Sequence, residues 1–156
     1  MPAPAPSLLP PHADEAERGV LGSMLRDNGT IPDVLQIFKD ETNFYKDAHR
    51  KVFVGISALF DRGHPVDLIT LGDELKQRAW LEEIGGLDYI VQLLEDAPTA
   101  AHAEYYARIV RDKAILRNLI AASHENLREA HSQSGPAEEI LEAAERRIFE
   151  IAEWGV

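Results

Sequence analysis

The chain of 156 residues has no cysteine. That excludes a disulfide framework, thiolate metal sites and a Cys nucleophile, and it is consistent with a reducing cytoplasm. Long apolar runs are missing too, since none approaches the ~20 residues needed to span a bilayer. Basic residues are scarce: 16 Lys and Arg stand against 27 Asp and Glu, a formal net charge of −11. The deficit runs along the whole chain, with 9 basic and 17 acidic side chains in residues 1–98 and 7 and 10 in residues 99–156. A polyanion is repelled by such an average surface, so a nucleic-acid site would have to be a local basic patch. The phosphate-binding pattern GxxxxGK[ST] does not occur. No stretch alternates with period two over four or more pairs, so no strand is predicted. The opening MPAPAPSLLPPHADEAE lacks the basic and apolar regions of a secretion signal. Its five prolines predict a disordered arm over residues 1–12.

What is present is helical periodicity. Val20, Leu21, Met24 and Leu25 share one helical face, led by acids and ended by Asp27-Asn28-Gly29. Gly19 and Gly22 lie within that helix, where each costs ~1 kcal/mol relative to Ala, which suggests that another helix packs close there. Thr30 is the expected cap of a second helix, with Pro32 in its first turn and Val34, Leu35 and Phe38 as its buried stripe. His49, Val52, Phe53, Ile56, Leu59 and Phe60 mark a third, closed by Gly63. Pro65-Val66-Asp67 predicts an extended passage. Thr70 and Asp73 have the spacing of a capping box ahead of Leu71 and Leu75. Gly85-Gly86 makes a tight turn before a short helix that Pro98 ends. This part reads as a compact head over residues 13–98.

The remainder differs. From Thr99 to His131 there is neither Gly nor Pro, while Tyr106, Ile109, Val110, Leu116, Leu119, Ile120 and Leu127 recur at helical spacing. Such a helix is ~45–50 Å long at 1.5 Å per residue, against ~40 Å for a globule of this chain length, so it is expected to protrude. Gly135-Pro136 breaks it, and Ala137, Ile140, Leu141, Ala144, Ile148 and Ile151 stripe a last helix. The fold class is therefore all-α: a compact bundle of short helices followed by a long antiparallel helical hairpin over residues 99–156. A lone hairpin cannot enclose its own apolar stripes, and pairing with a second copy would build a four-helix bundle. The stripes nominate Ile109, Leu116, Ile120, Ile140, Ala144 and Ile148 for self-association. Trp154-Gly155-Val156 continues the last stripe and suggests that the polypeptide runs on toward a linker.

No catalytic set emerges. The six histidines form neither HxxxH nor HExxH; His124 and His131 share a helix without a third ligand. His49 on an apolar stripe reads as a hydrogen-bonded core histidine. The carboxylate pairs Glu82/Glu83, Glu95/Asp96 and Glu138/Glu139 read as solvated helix faces. Arg108, Arg111, Lys113 and Arg117 share part of the long helix, but Glu104 and Asp112 interleave with them, and Glu104 has the i,i+4 spacing to pair with Arg108.

Taken in order, EAERGVLGSML, NFYKDAHRKVFVGISALFDRGHPVDLITL, GGLDYIVQL and PTAAHAEYYARIVRDKAILRNLI resemble the N-terminal domain of the DnaB-type replicative DNA helicases, over about Pro11 to Glu153. His102 departs from the Asn that the family more often carries near the start of the long helix. The resemblance implies a cytoplasmic domain of a helicase at the replication fork that assembles as a trimer of dimers into a collar over a hexameric ring. It implies recruitment of DnaG-type primase, and a helicase loader as a further partner. No cofactor is implied for these residues, since ATP and Mg belong to the family's motor domain. Tyr89, Ile120 and Leu127 are candidate primase contacts by position. The competing readings are a non-specific DNA-binding helical domain and a small helical enzyme.

Overall fold

The structure is a computed structural model and describes residues 9–154. Much of the arm expected over residues 1–12 lies outside them. The described residues form eight α-helices and no strand. In order these are α1 (Asp14–Arg26), α2 (Ile31–Ile37), α3 (Asp47–Asp61), α4 (Leu68–Gln77), α5 (Leu81–Ile84), α6 (Gly86–Asp96), α7 (Ala103–Ser132) and α8 (Ala137–Trp154), with two 3-10 turns at Asn28–Thr30 and Glu41–Asn43. They divide into two compact units, residues 13–114 and a second formed by residues 115–154 with residues 9–12. The head thus reaches beyond residue 98, where the sequence placed its end. Ala103, Ala107 and Val110 of α7 are buried in its core, and their small side chains at helical spacing let the first turns of α7 lie against it.

The caps explain where the helices begin, and two differ from the sequence expectation. Thr30 makes no side-chain cap to α2. Its hydroxyl donates instead to the Asp27 carbonyl at 2.8 Å, and Asp27 caps the 3-10 turn before it, accepting from Gly29 N–H at 2.9 Å. The capping box of α4 is Asp67 with Thr70, not Thr70 with Asp73. The Asp67 carboxylate accepts from the N–H groups of Ile69 and Thr70, and the Thr70 hydroxyl accepts from Asp67 N–H. A second box, Asp40 with Asn43, starts the turn before α3. In both places the cap is an aspartate three residues earlier, whose carboxylate is the stronger acceptor for free helix N–H groups.

The core is built on α1, whose Val20, Leu21 and Met24 are fully buried. A methyl placed on Gly22 would fall 2.7 Å from Ala97 Cβ and closer still to the Leu93 carbonyl. The glycine thus admits α6 at backbone contact, as its place in the sequence suggested. Phe38, Phe44 and Phe53 pack as a trio with ring centroids 5.1–5.6 Å apart. Asn28 fixes the extended passage after α3: its amide accepts from Val66 N–H at 2.9 Å and donates to the Val66 carbonyl at 2.8 Å.

Candidate interaction site

The hairpin unit buries little of its own apolar surface. No residue of α8 is buried, and in the α7 segment from Ile115 onward only Ala122 is. Its two helices are clasped by Arg147 of α8, which donates to Asn126 and Glu129 of α7 at 2.5–3.1 Å. That pair raises the Arg147 pKa and lowers that of Glu129, each chiefly through their mutual hydrogen bond. The inner side of α8 carries half-buried Ile140, Ala143, Ala144, Arg147 and Ile151.

A second apolar stripe lies beside each inner side and is open to solvent. On α7 it comprises Leu116, Leu119, Ile120 and Leu127, 41–57% exposed; on α8 it comprises Leu141 and Ile148, at 60% and 42%. At ~100° per residue both stripes lie roughly a quarter to a third of a turn clockwise from the inner side, viewed from N- to C-terminus. The helices run antiparallel, so these equal rotations bring both stripes to the same side. One face of the hairpin is therefore apolar across both helices. Near the turn it holds a groove of about 510 Å³ walled by Ala130, Ala137, Ile140, Leu141 and Ala144.

The residues nominated for self-association separate accordingly. Leu116, Ile120 and Ile148 lie on the open face, Ile140 and Ala144 line its groove, and Ile109 is packed against the head core. Leu119 and Leu141 are on the face as well; the stripes contained both, but spacing alone does not tell inner from outer positions. Among the primase candidates, Leu127 is 57% and Ile120 43% exposed, whereas Tyr89 is half-buried.

Tyr89 ends a chain of buried polar groups. The Glu17 carboxylate, 2% exposed, lies 2.7 Å from His49 Nδ1 and accepts from Tyr45 N–H at 2.8 Å and Lys46 N–H at 3.4 Å. His49 Nε2 lies 2.6 Å from the Tyr89 hydroxyl. With the Nδ1 hydrogen given to Glu17, the hydroxyl donates to Nε2 and every group is satisfied. Burial raises the Tyr89 pKa. The network joins α1, α3 and α6 and makes His49 the hydrogen-bonded core histidine its stripe predicted. Glu17 was not anticipated, although it occupies a position of the Val20–Leu21–Met24 stripe.

Elsewhere the head offers no converging reactive groups. Its cleft of about 540 Å³ is lined by Ala16, Gly19, Tyr106 and Ile109 with Arg18 and Asp96, and those two charges pair at 3.1 Å. Among the described residues no three His, Asp or Glu side chains cluster as a metal site. No described helix is long and apolar enough to cross a membrane. Glu104 and Arg108 form the expected pair, at 3.9 Å and well exposed.

The family model "DnaB-like helicase N terminal domain" matches residues 9–112. The chain belongs to the DnaB helicase family. It is 39% identical to the replicative DNA helicase DnaB of Geobacillus stearothermophilus over 145 residues, 93% of this chain and 32% of that protein. It is 37% identical to the replicative DNA helicase DnaC of Bacillus subtilis, with the same coverage. With DnaB of Mycobacterium leprae the identity is 38% over 92% of this chain and 24% of that protein. The chain thus spans a third or less of the length of these relatives. The crystal structure of the N-terminal domain of DnaB helicase from Mycobacterium tuberculosis is similar at a TM-score of 0.86 and 37% identity, covering 91% of this chain and 99% of that one. A DnaB-like replicative helicase, solved in a study of its interactions with primase, shares the fold at a TM-score of 0.73 and 18% identity, over 89% of this chain and 31% of that one. The all-α architecture is that of the DnaB N-terminal domain, and the chain corresponds to that part of a replicative helicase.

Proposed function

We propose that this domain is the assembly and recruitment module of a hexameric replicative DNA helicase, with the hairpin as its self-association element. The apolar face spread over both hairpin helices carries the reading. It exposes six large side chains that α7 and α8 cannot cover for each other, and a second hairpin laid on it gives each helix two neighbours, as in a four-helix bundle. Leu116, Ile120 and Ile148 with Leu119, Leu127 and Leu141 form the contact, and Ile140 and Ala144 shape its groove.

Repeated around a ring, such pairs give a trimer of dimers, a collar above motor domains where ATP and Mg are bound. DnaG-type primase docks on this collar, with Tyr89, Ile120 and Leu127 as candidate contacts, and a helicase loader is a further partner. The setting is the cytoplasm, at replication forks. Support for primase comes from the DnaB-like helicase of the same fold that was solved with its primase interactions in view.

The decisive experiment measures mass by light scattering at tens of micromolar, then titrates the domain with the C-terminal helical domain of primase and, in parallel, with duplex DNA. A dimer or larger species that binds primase and not DNA is the expected result. A monomer refutes the assembly reading, and DNA binding that weakens steeply with salt favours a DNA-binding domain instead.

A further inference from the structure

The open apolar face does not account for the most exposed large apolar side chain of α8. Phe149 is 61% exposed and projects from the edge of α8 opposite its α7-facing side. Glu138, Glu142, Glu145 and Glu153 stand on the same edge, all exposed, at spacings of four, three and eight residues that keep them on one stripe. Among the described residues none of these four carboxylates forms an ion pair. The basic residues of α8 are Arg146, at the margin of this edge, and Arg147, committed to Asn126 and Glu129 across the hairpin. Like charges three and four residues apart, as at Glu138, Glu142 and Glu145, disfavour a helix, and Arg146, four residues after Glu142, offsets only part of that repulsion. Glu138 alone benefits from the helix N-terminus.

We propose that this edge of α8 docks a basic amphipathic segment of another protein, with Phe149 as the apolar anchor and Glu138, Glu142, Glu145 and Glu153 as the charge complement. A second copy of this chain is a poor occupant, because a protein of net charge −11 repels its like at an acidic ridge. An Arg or Lys over the Phe149 ring adds a cation–π contact, and the apolar face of the segment covers the ring itself. The edge is distinct from the apolar face assigned to self-association, so both can be occupied at once.

The test uses two fluorescein-labelled peptides of equal positive charge, one an amphipathic helix of Lys, Arg and Leu, the other Lys and Gly, titrated into this domain at physiological salt. The amphipathic peptide is expected to bind at least ~10-fold more tightly than the other. Phe149→Ala weakens that binding ~10-fold, the loss of one well-buried aromatic contact. The double reversal Glu142→Lys/Glu145→Lys weakens it as much or more, while Glu82→Lys/Glu95→Lys on the head, an identical change in net charge, leaves it within ~2-fold. Equal affinity for the two peptides, an unaffected Phe149→Ala variant, or equal losses from both double reversals each overturns the proposal. Helicity by circular dichroism and mass by light scattering keep the variants comparable, and an unfolded Phe149→Ala is replaced by Phe149→Gln.

Discussion

Replacing Glu17 removes a buried carboxylate that accepts from three N–H groups of the head. In Glu17→Ala the hydrogen bonds from Tyr45 N–H, Lys46 N–H and His49 Nδ1 to this carboxylate are lost; His49 is fully buried, whereas Tyr45 and Lys46 are exposed residues. Orphaning the buried His49 donor costs ~1–3 kcal/mol, and each of the two part-buried backbone bonds adds less; the Lys46 bond, at 3.4 Å, counts least. The sum is about 3 kcal/mol, a sizeable part of the ~5–15 kcal/mol that holds a domain folded. Glu17→Gln keeps one carbonyl oxygen but turns an NH2 toward a donor, so about 2 kcal/mol is expected. Tyr89→Phe deletes one hydrogen bond at the half-buried end of the chain and costs about 1 kcal/mol. Urea unfolding of the three variants, at one low protein concentration so that association does not add stability, should give midpoints falling in the order Tyr89→Phe, Glu17→Gln, Glu17→Ala with an unchanged denaturant slope. A Glu17→Ala variant within ~1 kcal/mol of the parent, or a Tyr89→Phe variant as damaged as it, refutes the claim that the carboxylate is the hub.

Four further outcomes follow from other parts of the molecule. Glu74, 7% exposed, is held by Arg78 and Arg62, whose hydrogen bonds lower its pKa. Its stabilising contribution is therefore complete above the usual carboxylate range and lost as pH falls through the lowered value, so acid unfolding of Glu74→Gln should show a shallower pH dependence below about pH 4.5. Ala79 ends α4 at φ +59°, and Ala79→Gly should stabilise by about 0.5–1 kcal/mol in thermal melts. Gly22→Val should destabilise by ~3 kcal/mol or more, because α6 must retreat from α1. Leu141→Asp/Ile148→Asp should raise the dimer dissociation constant ~10³-fold in sedimentation equilibrium, since four half-exposed side chains per dimer forfeit ~1 kcal/mol each; an unchanged constant removes the open face from the interface.

The helical periodicity was sufficient for the architecture because each stripe feeds a single core. Gly22 could be read as a close approach, and Gly85, at φ +111°, as a turn, because only glycine meets those requirements cheaply. Caps were less legible. Thr30 and Thr70 both look like starts, yet Asp27 and Asp67 three residues earlier outcompete them, and the choice depends on backbone geometry that spacing does not encode. The four-residue α5 left no periodic signal, and Ala103, Ala107 and Val110 read as hairpin until the core that buries them is known.

The interaction face was legible in kind but not in detail, and the reason is geometric. A hairpin helix of this sort is apolar over two adjacent arcs, one for its neighbour in the chain and one for whatever lies outside. Periodicity reports their union: Ile140 and Ile148 belong to the same stripe in sequence, yet one is half-buried on the inner side of α8 and the other is 42% exposed. Which arc faces α7 is fixed by the Arg147 clasp to Asn126 and Glu129, a polar contact that no count of apolar residues detects. The clasp sets the rotation of each helix, and the antiparallel direction then brings the leftover arcs to one side. A charged residue near the seam of the hairpin thus decides which apolar residues remain available for a partner.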